Sequence, residues 1–580
     1  MTPTSLSSFI WSVADLLRGD YKQSQYGRII LPFTVLRRLD CVLEPTKDAV
    51  LKEKEKREAQ DVNPEPFMKK KAGLSFVNSS RLDMKSLMGD QDHLRENLTS
   101  YIQAFTPEVR DIFERFDFYT TIDSLHKNKL LYQITEKFAG VDLHPNAVDN
   151  TQMGLVFEDL IRRFAEISNE TAGEHFTPRE VIRLMVNLLF AEDEDVLEKP
   201  GVVRTVYDPT AGTGGMLSIA GEWLAEHNPD ARLTMFGQEL NDESYAICKA
   251  DMLIKGQDVA NMIAGNTLSD DGHPQRKFDY MLSNPPFGVE WKKVQKEVTR
   301  EHEQQGFNGR FGPGLPRVSD GSMLFLQHLV SKMRPDAEGG SRFGIVLNGS
   351  PLFTGGAGSG ESNIRQYILE NDLLEAIIAL PTDMFYNTGI ATYVWIITNR
   401  KQKKRKGKVQ LIDASDMWQK MRKSLGSKRK ELSDENIAEI TKVFLKFKEA
   451  QRDGKPFSKI FKNEHFGYRT ITVERPKLDE NGKPIKIAKG AKKGQVEPDP
   501  SLRDTENVPL SEDIHDYFDR EVKPHVPDAW IDEEKTKIGY EIPFSRYFYV
   551  FKSPRSLAEI DADLRQVTDS IKAMLQELDS

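Results

Sequence analysis

Apolar positions along this chain recur with two different periods. Up to about residue 165 they return every three or four residues, as in SSFIWSVADLLRG, where Phe9, Val13, Leu16 and Leu17 share one face of a helix. Ser7 or Ser8 is the expected cap of that helix and Gly19 its stop. LRRLDCVLEP and MGLVFEDLIRRFAE keep the same spacing, so residues 1–165 are expected to form a helical domain. From about 200 to 400 the texture changes. Short β-branched runs (VVRTVYDP, LTMFGQEL, NMIAGNT, FDYMLSNPP, FGIVLNGS, LLEAIIALP, ATYVWIITN) alternate with helical stretches such as DESYAICKADMLIKG and GSMLFLQHLVSKM. That alternation predicts an α/β domain over residues 166–415, built on a Rossmann-like doubly wound, mostly parallel sheet covered on both faces.

After KQKKRKGK the pattern becomes more polar, and residues 416–550 are expected to form an α+β extension in which DENGKPIKIAKGAKKGQ is an exposed loop or hairpin. Its lysines suit either a solvated surface or phosphate contacts. Residues 551–580 end in SLAEIDADLRQVTDSIKAMLQELDS, where Ser556 and Glu559 have the spacing of a capping box. Ile560, Leu564, Val567, Ile571, Met574 and Leu578 then alternate by four and three, the a/d seam of a coiled coil. This seam either packs on its own domain or docks on a partner's helices.

At 580 residues the chain exceeds the size at which a single core stops growing, and two or three domains are expected. No apolar run is long enough to cross a bilayer, and MTPTSLSSFIW lacks the layout of a signal peptide, so a cytoplasmic protein is expected. Cys41 and Cys248 are too few and too far apart for a disulfide framework or a cysteine zinc site; no metal is expected, and both read as core residues. A net charge of -9 argues against a uniformly basic coat but leaves room for a local basic groove.

The chemistry concentrates at strand ends. DPTAGTGGM follows the first strand with a glycine-rich turn at which a ligand can approach backbone N–H groups, and it lacks the GK[ST] ending of a nucleoside triphosphate loop. Glu239 closes the second strand, where a carboxylate meets the ribose hydroxyls of a nucleoside bound at the first turn. Asn266 follows the third strand, near the expected adenine position. NPPF follows the fourth. The Asn284 side-chain oxygen and the Pro285 carbonyl together can accept both hydrogens of an exocyclic amine, favouring a pyramidal nitrogen with a freed lone pair, and Phe287 can stack on the base. Alone, the tetrapeptide is equally a rigid turn.

Taken in order, GEHFTPR, DPTAGTGG, GQEL, AGNTL and SNPPFG resemble the S-adenosylmethionine-dependent amino-methyltransferases, and specifically the modification (M) subunit of type I restriction-modification systems. The resemblance covers nearly the whole chain and implies the fold of class I methyltransferases and transfer of a methyl group to N6 of adenine in DNA. It implies that Glu174, His175, Phe176, Thr177, Pro178 and Arg179 touch the methionine end of the cofactor, although Thr177 and Pro178 also read as a plain helix cap and first turn. By the same resemblance Asp208, Thr210, Ala211, Gly212, Thr213 and Gly214 wrap the amino acid and sulfonium, Glu239 the ribose, and Asn266 with Leu268 the adenine. Asn284, Pro285, Pro286 and Phe287 would hold the target base, with the polar insert at 291–322 closing over it.

No domain for reading base edges is evident, and the resemblance implies one elsewhere: a separate specificity (S) subunit flanked by this chain and a second M subunit, a complex that a restriction (R) subunit can join, all acting on double-stranded DNA. A glutamine N5 methyltransferase acting on protein is the nearest alternative, because an amide nitrogen is also delocalised. A scaffold that has lost turnover is the non-enzymatic one.

Overall fold

The computed structural model describes residues 3–168, 177–193, 198–386, 388–425, 427–550 and 556–578. Its front is helical through Ser168, so residue 165 lies inside the helix Asn150–Ser168 rather than between elements. The organising helix is Tyr26–Leu43, buried along most of its length, with Phe33 edge-on to Phe118 and stacked on Phe138 at ring distances of 4.9 and 5.4 Å. The first helix begins earlier than its serines suggest. It runs Pro3–Trp11, which puts Ser7 and Ser8 inside it rather than at its cap, and it breaks at Ser12, whose hydroxyl donates to the Phe9 carbonyl at 2.6 Å. A side chain that bonds back to its own turn competes with helix propagation. Gly19 stands beyond the second short helix, Val13–Leu17, at φ +100°.

Ten strands form the central sheet: β1 Val203–Asp208, β2 Arg232–Glu239, β3 Met262–Ala264, β4 Tyr280–Ser283, β5 Arg342–Asn348, β6 Leu374–Ala379, β7 Thr392–Thr398, β8 Lys408–Asp413, then β11 Ala450–Arg452 and β12 Lys455–Lys462. Their spatial order is β11-β12-β8-β6-β7-β5-β4-β1-β2-β3. From β3 across to β5 all neighbours are parallel. β7 is antiparallel to both β5 and β6, and β8 is again parallel to β6. The sheet therefore runs past residue 415, because β12 pairs antiparallel with β8 from Ser458 against Ile412 to Lys462 against Lys408. Between β8 and β11 a hairpin of β9 Gln419–Leu425 and β10 Lys428–Glu431 stands apart. A separate three-stranded sheet follows: β13 Gly467–Glu474, β14 Asp504–Pro509 and β15 Trp530–Tyr540.

Strands β5 to β7 are buried on both faces, which is why they read as unbroken apolar runs. The helical front docks on this body through the helix Asp242–Ile254, whose Ala246, Ile247, Ala250 and Leu253 belong to the front's own core. Cys41 and Cys248 are both free and buried. The stretch 475–499 is held by isolated bridges such as Leu478 with Pro484 and Lys486 with Val496, and is mostly exposed. The capping box forms, with the Glu559 N–H donating to the Ser556 hydroxyl at 3.3 Å, at the start of the helix Leu557–Leu578. Leu564 is 60% exposed and Val567 56%, so the seam from Ile560 to Met574 does not pack on its own domain. No helix among the described residues is long and apolar enough to cross a membrane.

One ion network pins β5, β6 and the end of the helix Arg179–Phe190. Arg342 pairs with Glu192 at 2.8 Å and Glu375 at 3.1 Å, and Arg405 pairs with Glu192 at 3.1 Å and Glu375 at 3.5 Å, all four side chains being at most 4% exposed. Removing one partner of such a set leaves buried charge uncompensated. Glu375→Ala is expected to cost about 3–5 kcal/mol in chemical denaturation; a cost comparable to that of a surface substitution would contradict this role.

Candidate active site

The sheet's strand order reverses between β1 and β4, which opens a crevice beyond their carboxyl ends. The turn leaving β1 is built from its own polar groups. Asp208 Oδ1 accepts from the Thr210 N–H at 2.9 Å and its hydroxyl at 3.1 Å, and the Ala211 N–H donates to the Gln238 carbonyl at 3.0 Å. Gly214 adopts φ +85°, and a Cβ there would stand 3.0 Å from Cys248 Sγ, so this turn admits only glycine before the helix Gly215–His227. At Gly212, φ +54°, a Cβ would meet nothing within 4 Å: that side of the turn is open. The Gly212 N–H donates to Glu239 Oε2 and the Asn241 N–H to Glu239 Oε1, each at 2.7 Å. A carboxylate offers about four acceptor positions, so these bonds aim Glu239 without exhausting it.

Asp208 is enclosed. Burial raises its carboxyl from the ordinary range to about 7, the nearby Glu239 pushes the same way, and the Thr210 bonds oppose both. A buried acid facing this turn is a place where a ligand's cation would be welcome.

The other wall comes from β4. Ser283 ends the strand, and its hydroxyl shares a 2.9 Å hydrogen bond with that of Thr210, tying the two strand ends together. Asn284 therefore emerges beside the glycine turn, half-buried, as is Pro286, while Pro285 is buried. Phe287 is 8% exposed and meets Phe385 edge-on at 5.9 Å. From β3, the Thr267 hydroxyl donates to the Pro209 carbonyl at 2.7 Å. Asn266 Oδ1 accepts from the Leu268 N–H at 2.9 Å, which shapes the turn, and the Leu268 side chain is buried with Trp291, Val298, Phe311 and Leu324.

The polar insert after NPPF is thus folded, and its Trp291, Val298 and Phe311 share a core with Leu268 and Leu324. Arg310 locks it to the β3 turn: its guanidinium donates to the carbonyls of Thr267 at 2.6 Å and Leu268 at 2.9 Å and is held by Glu301 at 2.7 Å. His328, fully buried and pushed well below its ordinary pKa by that burial, stands between Arg310 and the Tyr207 hydroxyl.

Of the GEHFTPR stretch, Glu174, His175 and Phe176 lie outside the described residues. The helix that follows starts one residue later than expected, with Pro178 rather than Thr177 at the capping position, its carbonyl accepting from Val181 and Ile182. Thr177 is half-buried. Arg179 bonds Glu158 at 3.3 Å, and Glu158 Oε1 lies 3.7 Å from where a Gly215 Cβ would be, so this stretch reaches the glycine turn through Glu158. Ser283, Arg310, Glu158 and Phe385 contact the candidate site residues, and sequence reasoning gave none of them a role. Of these, Ser283 alone has a local signal, because it adjoins NPPF.

A family model described as N-6 DNA Methylase matches residues 148–468, and one described as the HsdM N-terminal domain matches residues 6–138. A type I restriction enzyme methylase subunit (MjaIX) of Methanocaldococcus jannaschii is 23% identical over 465 residues, 77% of this chain and 78% of that protein. The HindI methylase subunit of Haemophilus influenzae is 27% identical over 321 residues, 54% of this chain and 66% of its own length. In architecture the chain resembles a type I restriction-modification methyltransferase subunit from Streptococcus thermophilus, with a TM-score of 0.63 at 24% identity, covering 80% of this chain and 96% of that one. With more than half its length matched, and with the helical front matched beside it, the chain belongs to the N-6 DNA methylase family of type I restriction-modification methylase subunits.

Proposed function

We propose that the protein transfers a methyl group from S-adenosylmethionine to N6 of an adenine rotated out of double-stranded DNA. The observation that carries this reading is the 2.9 Å hydroxyl pair of Thr210 and Ser283, which sets a nucleoside-type glycine turn and NPPF side by side at one sheet edge. The donor supplies an electrophilic methyl on a sulfonium. Glu239, aimed by two backbone N–H groups, accepts from the ribose hydroxyls; the Asn266 and Leu268 turn borders the adenine, with Leu268 contributing backbone because its side chain is buried. Asp208 draws the ligand's positive end toward the turn, joined by Thr210, Ala211, Gly212, Thr213 and Gly214, and the stretch from Glu174 to Arg179 borders the methionine end.

Asn284 and Pro285 accept from the target N6 amine, Pro286 stiffens the backbone, and Phe287, braced by Phe385, lies against the base. No strong base is required within NPPF: the nitrogen attacks in line and its proton leaves afterwards, so orientation supplies most of the acceleration. The base must leave the stack, since the strand ends cannot enter a duplex. Sequence reading is assigned to a separate specificity subunit. The exposed seam of Leu557–Leu578 is the docking helix in a complex of that subunit with this chain and a second M subunit, which a restriction subunit can join. The similarity to methylase subunits of type I restriction enzymes supports the DNA reading over a protein amide substrate.

Three measurements test this. Asn284→Ala is expected to lower methyl transfer to adenine by about 10²–10³-fold, as loss of a transition-state hydrogen bond does, while calorimetric cofactor affinity is unchanged; equal loss of both contradicts the assigned role. Asp208→Asn keeps the acceptor for Thr210 but removes the charge. Ionised Asp208 opposes folding, a cost that grows between the unfolded carboxyl's ~3.9 and its folded value of about 7, then stays level. The variant should therefore unfold at higher temperature than wild type near pH ~8 and show no such gain near pH ~4, with cofactor binding weakened; an equal shift at both pH values contradicts the buried-acid account. Leu564→Asp with Ile571→Asp should leave the melting temperature unchanged, because both side chains are exposed, yet abolish co-purification with a specificity subunit. Retained association would remove this helix from the interface.

A further inference from the structure

Resting on that reading of the crevice, we infer that the hairpin of β9 and β10 grips the phosphate backbone of the duplex beside the extruded base. Residues 419–430, QKMRKSLGSKRK, carry six basic side chains and no acid in a chain whose net charge is -9. Topology puts them at the catalytic edge. β7 is antiparallel to β5 and to β6, and β8 is parallel to β6, so the carboxyl ends of β4, β5, β6 and β8 share one edge, and the hairpin grows from the end of β8. β4 and β8 are four strands apart, roughly 19 Å along the sheet, a distance a bound duplex covers while its base occupies the NPPF pocket.

The hairpin's inner side is anchored next to that pocket. Lys428, 2% exposed, pairs with Glu180 and lies over the Tyr386 ring at 5.7 Å. The Ser427 N–H donates to the Tyr386 carbonyl at 2.7 Å and the Arg429 N–H to the Asp383 carbonyl at 2.9 Å. Phe385, in the same loop, braces Phe287. The outer side has the opposite character. Lys420, Arg422 and Arg429 are exposed, and among the described residues no carboxylate pairs with any of them. Lys430 lies opposite Lys420 in the ladder, 3.9 Å from Asp383 and over Trp418 at 4.5 Å, and Trp418 is itself 42% exposed. Like charges directly opposite on neighbouring strands repel, a cost that an anionic ligand between them removes. The register shifts between Lys428 and Lys430, and such an irregularity re-aims the side chain within it, here Arg429. Lysine and arginine heads on a two-stranded ribbon suit a polyanion of regular spacing, which the duplex backbone is.

The test compares wild type with Lys420→Ala, Arg422→Ala, Arg429→Ala in the full-length chain, alone and with a specificity subunit. It reads binding of a fluorescent adenine-containing duplex across a salt series, and steady-state methylation. Each lost phosphate contact removes about 0.9 from the slope of log affinity against log salt. The triple variant should bind the duplex at least about tenfold more weakly with a slope shallower by about one to three. Its KM for DNA should rise while kcat and the KM for the methyl donor stay as in wild type, which also reports that it folds. Keeping each charge, as Lys420→Arg, Arg422→Lys, Arg429→Lys does, should retain binding. Wild-type affinity and slope in the triple variant would overturn the inference, as would loss of association with the specificity subunit in place of loss of DNA binding. A wild-type chain that, together with the specificity subunit, binds duplex yet transfers no methyl group would sink the proposed reaction, and the salt slope would still decide the hairpin.

Discussion

The parallel register of β1 between β2 and β4 is the constraint from which the rest of the site follows. Asp208 pairs with Gly237 and Tyr207 with Met281, so three strands end nearly level and their turns must share one crevice. Short bonds then fix those turns to each other: Gly212 to Glu239, Thr210 to Ser283, and Thr267 to Pro209. Each costs little where it forms, because the backbone is already ordered by the sheet. Preorganisation of this kind lets binding energy be used for orientation rather than for assembling the site.

Much of this was legible in the sequence because it is local. β-branched runs between helical stretches mark the strands, and a glycine turn or NPPF at a strand end marks the edge where ligands collect. What stayed hidden depends on contacts across long separations. Arg310 is unremarkable in its own segment and matters because Thr267 and Leu268 turn their carbonyls toward it. Phe385 comes from a loop about a hundred residues after Phe287. β12 joins the central sheet by pairing with β8, which no period in 416–462 announces. Helix starts slipped where side-chain chemistry competes with propensity: Ser12 breaks the first helix, and Pro178 takes the capping position expected of Thr177.

Three parts of the molecule divide the remaining work. The insert folds against the β3 turn around an apolar core shared with Leu268 and Leu324, the basic hairpin faces outward from the carboxyl edge, and the C-terminal helix leaves its apolar seam in solvent. The last two are features an isolated chain gains nothing from. Opposed lysines lower stability and an exposed apolar seam adds none, and both are satisfied by a partner of the right chemistry.

The account stands on the donor and the target base meeting at adjoining strand ends. The most direct measurement is a crystal structure of the chain with S-adenosylhomocysteine. The account predicts its ribose hydroxyls on Glu239, its chain along the open side of Gly212 and its sulfur facing Asn284. Ligand density away from the crevice between β1 and β4, or a sulfur turned from Asn284, would contradict it.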